Sequence, residues 1–195
     1  ENLITLGDIY VENGFIEASL SVYKEAIQQK GRLNVEKPIT AAATLIEAGF
    51  VDAASEVLAE IDKTYGGSLD SKLSFEVRKL KAKIQAESGQ ASASIIPVLE
   101  EMAAQNPLDG DVLILLADYY STAGNFEKAE FLYERAQNIG MFEGKALFHY
   151  GKALVAQEKY REALRALERA QDINPQDHVQ DYLNGVRNVT RAVRN

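Results

Sequence analysis

The chain has 195 residues, a net charge of −8 and no cysteine. The absence of cysteine excludes disulfides, iron–sulfur clusters, thiolate nucleophiles and cysteine zinc sites, and an acidic body disfavours binding to phosphate backbones. Only 4 prolines are present, whereas alanine, leucine, glutamate and lysine are abundant. This composition favours long helices over sheet and predicts an all-α protein.

The sequence contains no run of about 18 apolar residues that would cross a bilayer. We therefore expect no direct membrane insertion, and cytoplasmic and periplasmic locations both stay open. Because the sequence opens within a helical pattern and without an initiator methionine, we expect the native protein to continue toward its N-terminus. More repeats or another domain would stand there.

The first predicted helix pair contains a segment that recurs later in the chain. Residues 6–15 (LGDIYVENGF) reappear in kind as residues 116–126 (LADYYSTAGNF). Gly7 and Ala117 are small at the point where two paired helices are expected to cross closely. In both segments the following helix carries a small residue and then a tyrosine, namely Ser19 and Tyr23 in the first and Ala129 and Tyr133 in the second.

Glycines between the paired helices mark the spacing of the repeat. From Gly14 to Gly49 is 35 residues, from Gly49 to Gly89 is 40, and from Gly89 to Gly124 is 35. A fifth turn, at residues 157–160, stands at the next expected place without a glycine. Glycine suits these turns because it supplies the positive φ that ends a helix.

A period of 34 to 35 residues with two helices per unit is typical of tetratricopeptide repeats, and the chain resembles that family. The unit at residues 142–175 matches the family pattern best, whereas the unit at 68–107 departs furthest. In that unit the first helix, at about 69–88, is long, and residues 90–94 contain one extra residue. The matching residues of the best unit are Leu147, Tyr150, Gly151, Leu154, Ala163, Leu167, Ala170 and Pro175.

The resemblance implies a right-handed α-solenoid of about five helix-turn-helix repeats in a single array over residues 1–195. An amphipathic segment at residues 176–194 predicts a C-terminal capping helix that covers the apolar end of the fifth pair. The alternative is that its apolar face docks a partner or a sixth repeat. The predicted repeats are residues 1–34, 35–67, 68–107, 108–141 and 142–175.

Residues for catalysis are not assembled in recognisable patterns. The two histidines, His149 and His178, are far apart in the sequence and do not follow a metal-ligand spacing. Neither a phosphate-binding glycine loop nor a nucleophile elbow is present. We therefore expect no enzyme activity and assign no catalytic, cofactor-binding or metal-binding residue.

A concave groove lined by the first helix of each pair is what the resemblance implies for binding. We expect the apolar residues Ile4, Val11, Ile46 and Ile114 to point into this groove. The family's carboxylate clamp is absent, because Ile4 and Asp8 stand where that clamp has its first lysine and asparagine. The candidate partner-binding residues are Asp8, Glu12, Lys79, Lys83, Asp118, Phe148, His149 and Lys152.

Phe148 and Lys152 lie one helical turn apart, and with His149 beside them they are predicted to form the edge of an anchor pocket. The alternative is that Phe148 packs against the neighbouring pair and the lysines are only solvated. The groove is expected to be acidic at its first end and basic further along.

These observations predict a protein–protein interaction scaffold that binds a peptide or helix of another protein, whose identity stays open. One alternative is a self-assembling or spacer module that associates through an uncapped N-terminal end. Another is an RNA-binding helical repeat, because residues 45–58 loosely resemble pentatricopeptide proteins. The negative net charge opposes that last alternative, and we expect no nucleic-acid partner.

Overall fold

A computed structural model describes residues 2–29, 34–87 and 95–192 of the chain. These residues form eleven α-helices and contain no β-strand, which confirms the all-α prediction. The helices are α1 (Asn2–Glu12), α2 (Ile16–Gln28), α3 (Glu36–Glu47), α4 (Val51–Tyr65), α5 (Ser71–Glu87), α6 (Ile96–Gln105), α7 (Gly110–Thr122), α8 (Phe126–Gln137), α9 (Glu143–Ala156), α10 (Tyr160–Ile173) and α11 (Asp177–Ala192).

The chain divides into two compact units, unit 1 (Glu1–Ala91) and unit 2 (Ser92–Asn195). Helices α1 to α5 belong to unit 1 and helices α6 to α11 to unit 2. The third predicted repeat, at residues 68–107, thus has its first helix in unit 1 and its second in unit 2. The prediction of one array over residues 1–195 stays a prediction.

Unit 1 is built around apolar side chains that recur at helical spacing. Tyr23 and Ile27 of α2 are fully buried together with Leu45 of α3 and Leu58 and Ile61 of α4. Burying a side chain of this size stabilises a fold by about 1.5–3 kcal/mol. The paired helices of this unit are therefore stabilised mainly by their facing apolar stripes.

In unit 2 the C-terminal helix covers the end of the last helix pair. Val179, Leu183 and Val186 of α11 are buried, and they belong to apolar clusters with Leu167 of α10 and Phe148 of α9. The predicted capping helix is thus present, over Asp177–Ala192.

Four described turns between paired helices share one hydrogen-bond pattern. At the first turn the Phe15 N–H donates to the Tyr10 carbonyl at 2.8 Å and the Gly14 N–H to the Val11 carbonyl at 3.0 Å. This is the Schellman motif, in which a residue with positive φ closes the helix. The turns at Gly49, Gly124 and Glu158 repeat it.

Helices α5 and α6 belong to the predicted repeat that departs most from the family pattern. Helix α5 is 17 residues long, the longest in the described part of the chain. Pro97 is the second residue of α6, where its missing N–H removes no helical hydrogen bond. Gly89 and the extra residue predicted within 90–94 lie outside the described residues.

Candidate functional site

In unit 1, two of the predicted site residues lie on α1. Asp8 accepts a hydrogen bond through Oδ1 from the Tyr23 hydroxyl at 2.7 Å, whereas Glu12 is exposed. Burial, with the neighbouring Asp8 carboxylate, raises the pKa of Tyr23 well above its usual value of 10. Asp8 therefore links the two helices of its own pair.

The other two predicted residues of unit 1 lie on α5. Lys79 forms an ion pair with Glu76 at 2.9 Å, one turn earlier on the same helix, and its side chain is only 16% exposed. Lys83 lies one turn further on and is half-buried. The stem of Lys79 thus packs against the unit instead of standing in solvent.

Unit 2 brings Asp118 of α7 and His149 of α9 together. The carboxylate of Asp118 accepts a hydrogen bond from the Tyr133 hydroxyl at 2.6 Å through Oδ1, and its Oδ2 lies 2.8 Å from Nδ1 of His149. Burial is the main cause that raises the pKa of Tyr133, and the Asp118 charge adds to it. Both oxygens of Asp118 are therefore occupied within the unit.

Phe148 is the centre of an aromatic cluster on α9 and α11. Its ring meets the rings of His149, His178 and Tyr182 edge to face, with centroid separations of 5.8, 5.2 and 5.8 Å. The Lys152 ammonium lies 5.6 Å from the centroid of the Phe148 ring. We call these five residues the Phe148 cluster.

The Phe148 cluster combines buried and accessible chemistry. His178 and Lys152 are exposed, whereas the rings of Phe148 and Tyr182 are half-buried. A half-buried aromatic ring beside an exposed cation offers both apolar area and a charge, a combination that is frequent where proteins bind peptides. The cluster can therefore contact an apolar side chain and an acidic group at the same time.

The fold matches solved helical-repeat structures over almost the whole chain. A thermophilic TPR protein of Thermus thermophilus superposes with a TM-score of 0.70 at 16% sequence identity, covering 95% of this chain and 97% of the other. A tetratricopeptide repeat protein of Parabacteroides merdae superposes with a TM-score of 0.61 at 15% identity, covering 96% and 73%. This chain folds as a tetratricopeptide repeat protein.

A third TPR structure, YrrB, is described as having an unusual peptide-binding site. It superposes with a TM-score of 0.54 at 13% identity, covering 94% of this chain and 90% of YrrB. A family model described as anaphase-promoting complex, cyclosome, subunit 3 matches residues 92–170, which lie in unit 2. No curated protein matches the sequence.

Four positions of the TPR pattern that were predicted to point into a groove are buried instead. They are Ile4, Val11, Ile46 and Ile114, which are 4%, 9%, 2% and 2% exposed. The first helix of a pair contacts both its own second helix and the first helix of the next pair, so its solvent-facing stripe is narrower than helical periodicity suggests. The outward-pointing prediction was wrong for these four residues.

Sequence reasoning missed the partners of the predicted TPR site residues. Tyr133 follows Asp118 at the same sequence separation at which Tyr23 follows Asp8, so the recurring spacing was a usable signal. Tyr182 lies one repeat period after Phe148. His178 gave no such signal, because its contact with Phe148 depends on the way α11 packs on α9.

Within the described parts of the chain, no three His, Asp or Glu side chains are grouped in a way that could hold a metal ion. Over the same residues, none of the helices combines the length and apolarity that a membrane crossing requires.

Proposed function

We propose that the chain is an interaction scaffold that binds a peptide or helix of another protein on the faces that the first helices of its repeats form within each unit. The observation that carries the proposal is the Phe148 cluster, which holds a half-buried aromatic ring beside the exposed cation Lys152. The TPR fold supports it, as does the peptide-binding site described for a structural neighbour.

The contacts of the predicted residues narrow the proposed site. Asp118 accepts hydrogen bonds within unit 2, so its proposed role is to position His149 rather than to contact the partner. Asp8 is engaged with Tyr23 in the same way. In unit 2, the proposed partner contacts are therefore Phe148, His149 and Lys152, with His178 and Tyr182 added.

Glu12, Lys79 and Lys83 stay proposed contacts in unit 1. Glu12 is exposed and suits a basic group, whereas the two lysines suit an acidic one. Because Lys79 already pairs with Glu76, Lys83 is the better candidate of the two for a charge contact with a partner.

Affinity capture from native lysate with the 195-residue chain tests the proposal. We compare the wild type with a variant that carries Phe148→Ala and Lys152→Glu, and with a control that carries Met141→Ser, at a residue that is 86% exposed and lies outside the Phe148 cluster. A protein retained by the wild type and the control but lost from the double variant is the expected result.

Folding is checked by thermal unfolding before the capture, because Phe148 is half-buried. If the double variant melts early, Lys152→Glu alone replaces it, since Lys152 is exposed and its substitution leaves the core intact. A partner that the folded cluster variant retains as well as the wild type does would contradict the proposed site.

Self-association through the face of α1 is a second candidate function. On α1, Leu6 and Ile9 lie one helical turn apart and are 36% and 49% exposed, and Phe15 in the turn that follows is 61% exposed. Adjoining apolar side chains that are exposed often mark an interface. Sedimentation equilibrium should then give a mass above that of one chain, and Ile9→Lys should lower it. A monomer at high concentration would contradict this candidate.

A further inference from the structure

Unit 2 contains an apolar cleft between α6, α7 and α8. Its volume is about 470 Å³, within the range of about 300–1,000 Å³ that is usual for ligand pockets. No residue of the Phe148 cluster lines it. The apolar residues in its wall are Ala103, Ala104, Pro107, Leu116, Phe131 and Leu132.

The corresponding place in unit 1 is bridged by polar side chains. There the second helices of two successive pairs, α2 and α4, are joined by an ion pair between Lys24 and Glu56 at 2.5 Å. One turn further on, Gln28 donates a hydrogen bond to Glu60 at 3.1 Å. Exposed pairs of this kind are worth only about 0–1 kcal/mol each, but here they link the two helices by direct polar contacts.

Counting from the turns shows what replaces these pairs in unit 2. Phe131 and Arg135 of α8 stand at the same distances along the chain from Gly124 as Glu56 and Glu60 stand from Gly49. Helix α6 can be aligned with α10 through the asparagine that follows each of them, Asn106 and Asn174. In this alignment Glu100 and Ala104 of α6 are the counterparts of Lys24 and Gln28. Neither the phenylalanine nor the alanine can form the polar link, and the cleft lies between the helices instead.

Phe131 is unusual for its position. It is 59% exposed, and the equivalent residues in the other second helices that can be aligned from their turns are polar, namely Ser21, Glu56 and Arg165. The repeat therefore does not require an aromatic residue here. An exposed aromatic ring at the edge of a cleft is the kind of residue that dominates binding energy at protein interfaces.

The charged groups of the cleft differ in what they already contact. Glu100 accepts a hydrogen bond from the Tyr120 hydroxyl. The Lys128 ammonium donates to the same hydroxyl at 3.2 Å and lies 4.7 Å from the centroid of the Tyr120 ring. The guanidinium of Arg135 lies 5.9 Å from the Phe131 ring centroid and donates to the Pro107 carbonyl at 3.4 Å.

Among the described residues, no carboxylate pairs with Arg135. Its counterpart on α10, Arg169, does bind one, that of Glu143. Arg135 thus holds a positive charge over an exposed ring without an acidic partner, in a protein whose net charge is −8.

We propose that this cleft is a second docking surface, which takes an acidic peptide segment of a partner protein. A large apolar side chain of the segment enters beside Phe131 against Ala104 and Pro107. A carboxylate within one helical turn of that side chain pairs with Arg135, whose planar guanidinium binds carboxylates through two parallel hydrogen bonds.

The test uses a random library of dodecapeptides displayed on phage and selected against the full chain. Peptides that are enriched are synthesised, and their affinities are measured for the wild type, Phe131→Ser, Arg135→Glu and the Phe148→Ala, Lys152→Glu variant. The first two substitutions copy residues that other second helices of this chain carry at the same or a neighbouring repeat position, Ser21 and Glu60, so they should preserve the fold.

Enriched peptides should carry Asp or Glu within about one helical turn of a large apolar residue. Phe131→Ser and Arg135→Glu should each weaken them at least about tenfold, and the Phe148 cluster variant should bind them as the wild type does. Replacing the peptide's acidic residue by lysine should restore binding to Arg135→Glu.

Three results of the peptide assay would overturn the docking surface. They are no enrichment, enriched peptides that bind Phe131→Ser with wild-type affinity, and enriched peptides whose binding only the Phe148 cluster variant loses. The last of these would leave the proposed function standing, so the two proposals fail separately. A dimer in solution that Phe131→Ser dissociates would also overturn it, by making the cleft a contact between copies of this chain.

Discussion

At the scale of single residues, the four turns between paired helices that the structure describes differ in backbone strain. Gly14, Gly49 and Gly124 have φ of 78°, 82° and 78°, and Glu158 has φ of 59°. A residue with a β carbon costs about 1–2 kcal/mol in this left-handed region. Glu158 therefore adopts the required conformation under strain that the three glycines avoid.

Replacing Glu158 by glycine should raise the free energy of unfolding by about 0.5–1 kcal/mol, because the relieved strain exceeds the added entropy of the unfolded chain. Urea unfolding followed by circular dichroism measures the change. Gly124→Ala is the matched control, since its new β carbon would meet no atom within 4 Å. That control should lose about 1 kcal/mol through backbone strain alone. A Glu158→Gly variant that is less stable than wild type would contradict the assignment.

The second feature at this scale is the buried tyrosine pair. Tyr133 and Tyr23 each donate a hydrogen bond to an aspartate 15 residues earlier. Where the aspartate changes, the tyrosine changes too, since the equivalent pairs are Ala43 with Leu58 and Lys152 with Leu167. The two aspartates, which the sequence pattern alone assigned to partner binding, thus link the two helices of their pairs.

Stability should fall steeply above a pH of about 10. The pKa of Tyr133 is raised in the folded state, so the folded chain holds this proton more tightly than the unfolded chain does. The contribution of this proton to the free energy of unfolding is complete below about pH 10, the pKa of tyrosine in the unfolded chain. It is lost as the pH rises above that value, by about 1.4 kcal/mol per pH unit. Thermal melts between about pH 8 and 11 measure the loss.

Tyr133→Phe is the control for the alkaline melts. At neutral pH the variant should be less stable by about 1 kcal/mol, because it lacks the hydrogen bond to Asp118. At alkaline pH its stability should decline less than that of the wild type. Parallel pH profiles for the two proteins would show that Tyr133 does not carry the effect.

At the scale of helices, one small residue controls how closely paired helices approach. A β carbon added to Gly7 would lie 2.2 Å from the buried ring of Tyr23, and one added to Gly151 would lie 2.7 Å from Leu167. Gly185 of α11 stands one repeat period after Gly151, yet a β carbon there would meet no atom within 4 Å. The same repeat position is therefore packed on α1 and α9 and open on α11.

Alanine should have opposite effects at these equivalent glycines. Gly7→Ala should destabilise unit 1 by about 1–3 kcal/mol, because Tyr23 is fully buried and cannot move aside freely. Gly185→Ala should stabilise α11 by about 0.5–1 kcal/mol, since alanine favours helix over glycine and the space is empty. Chemical denaturation of both variants compares them, and equal effects would contradict the packing difference.

The open face of α11 is also polar. Its residues Asp181, Asn184 and Asn188 stand one period after Leu147, Tyr150 and Leu154 of α9, which are apolar or aromatic and buried or half-buried. Val179, Leu183 and Val186 are buried on the other side. Helix α11 thus presents an apolar face to the last helix pair and a hydrated face to the opposite side, as a capping helix does.

At the scale of the whole molecule, charge decides which class of partner is favoured. The net charge of −8 and a pI near 4.9 oppose contact with phosphate backbones. The cations named in the two proposals, the exposed Lys152 and the half-buried Arg135, are local exceptions on an acidic protein. Such isolated cations suit single carboxylates on a peptide better than a polyanion.

A fluorescently labelled single-stranded RNA oligonucleotide should show no binding to the chain at physiological salt. The reason is that few cations are available to release counterions from the RNA, while the acidic body repels it. Fluorescence anisotropy over a salt series measures this. RNA binding that weakens steeply with added salt would contradict this prediction and support the alternative that the chain is an RNA-binding helical repeat.

The sequence by itself determined the local structure of this protein. The helix ends were predicted by the glycines spaced by about one repeat period and by the proline after Asn174, and the close pairing of helices by the small residues Gly7 and Gly151. These predictions were possible because turn conformation and close helix crossing depend on residues near in sequence. The amphipathic spacing of Val179, Leu183 and Val186 predicted the capping helix for the same reason.

Only the tertiary structure decided which polar and aromatic side chains stay accessible. In the structure Asp118 accepts a hydrogen bond from Tyr133, the Phe148 ring contacts the His178 ring of α11, and Phe131 lines the cleft of unit 2. These outcomes depend on helix crossing and side-chain rotamers between residues that are several helical turns or more apart in the chain, and a periodic pattern does not contain that information.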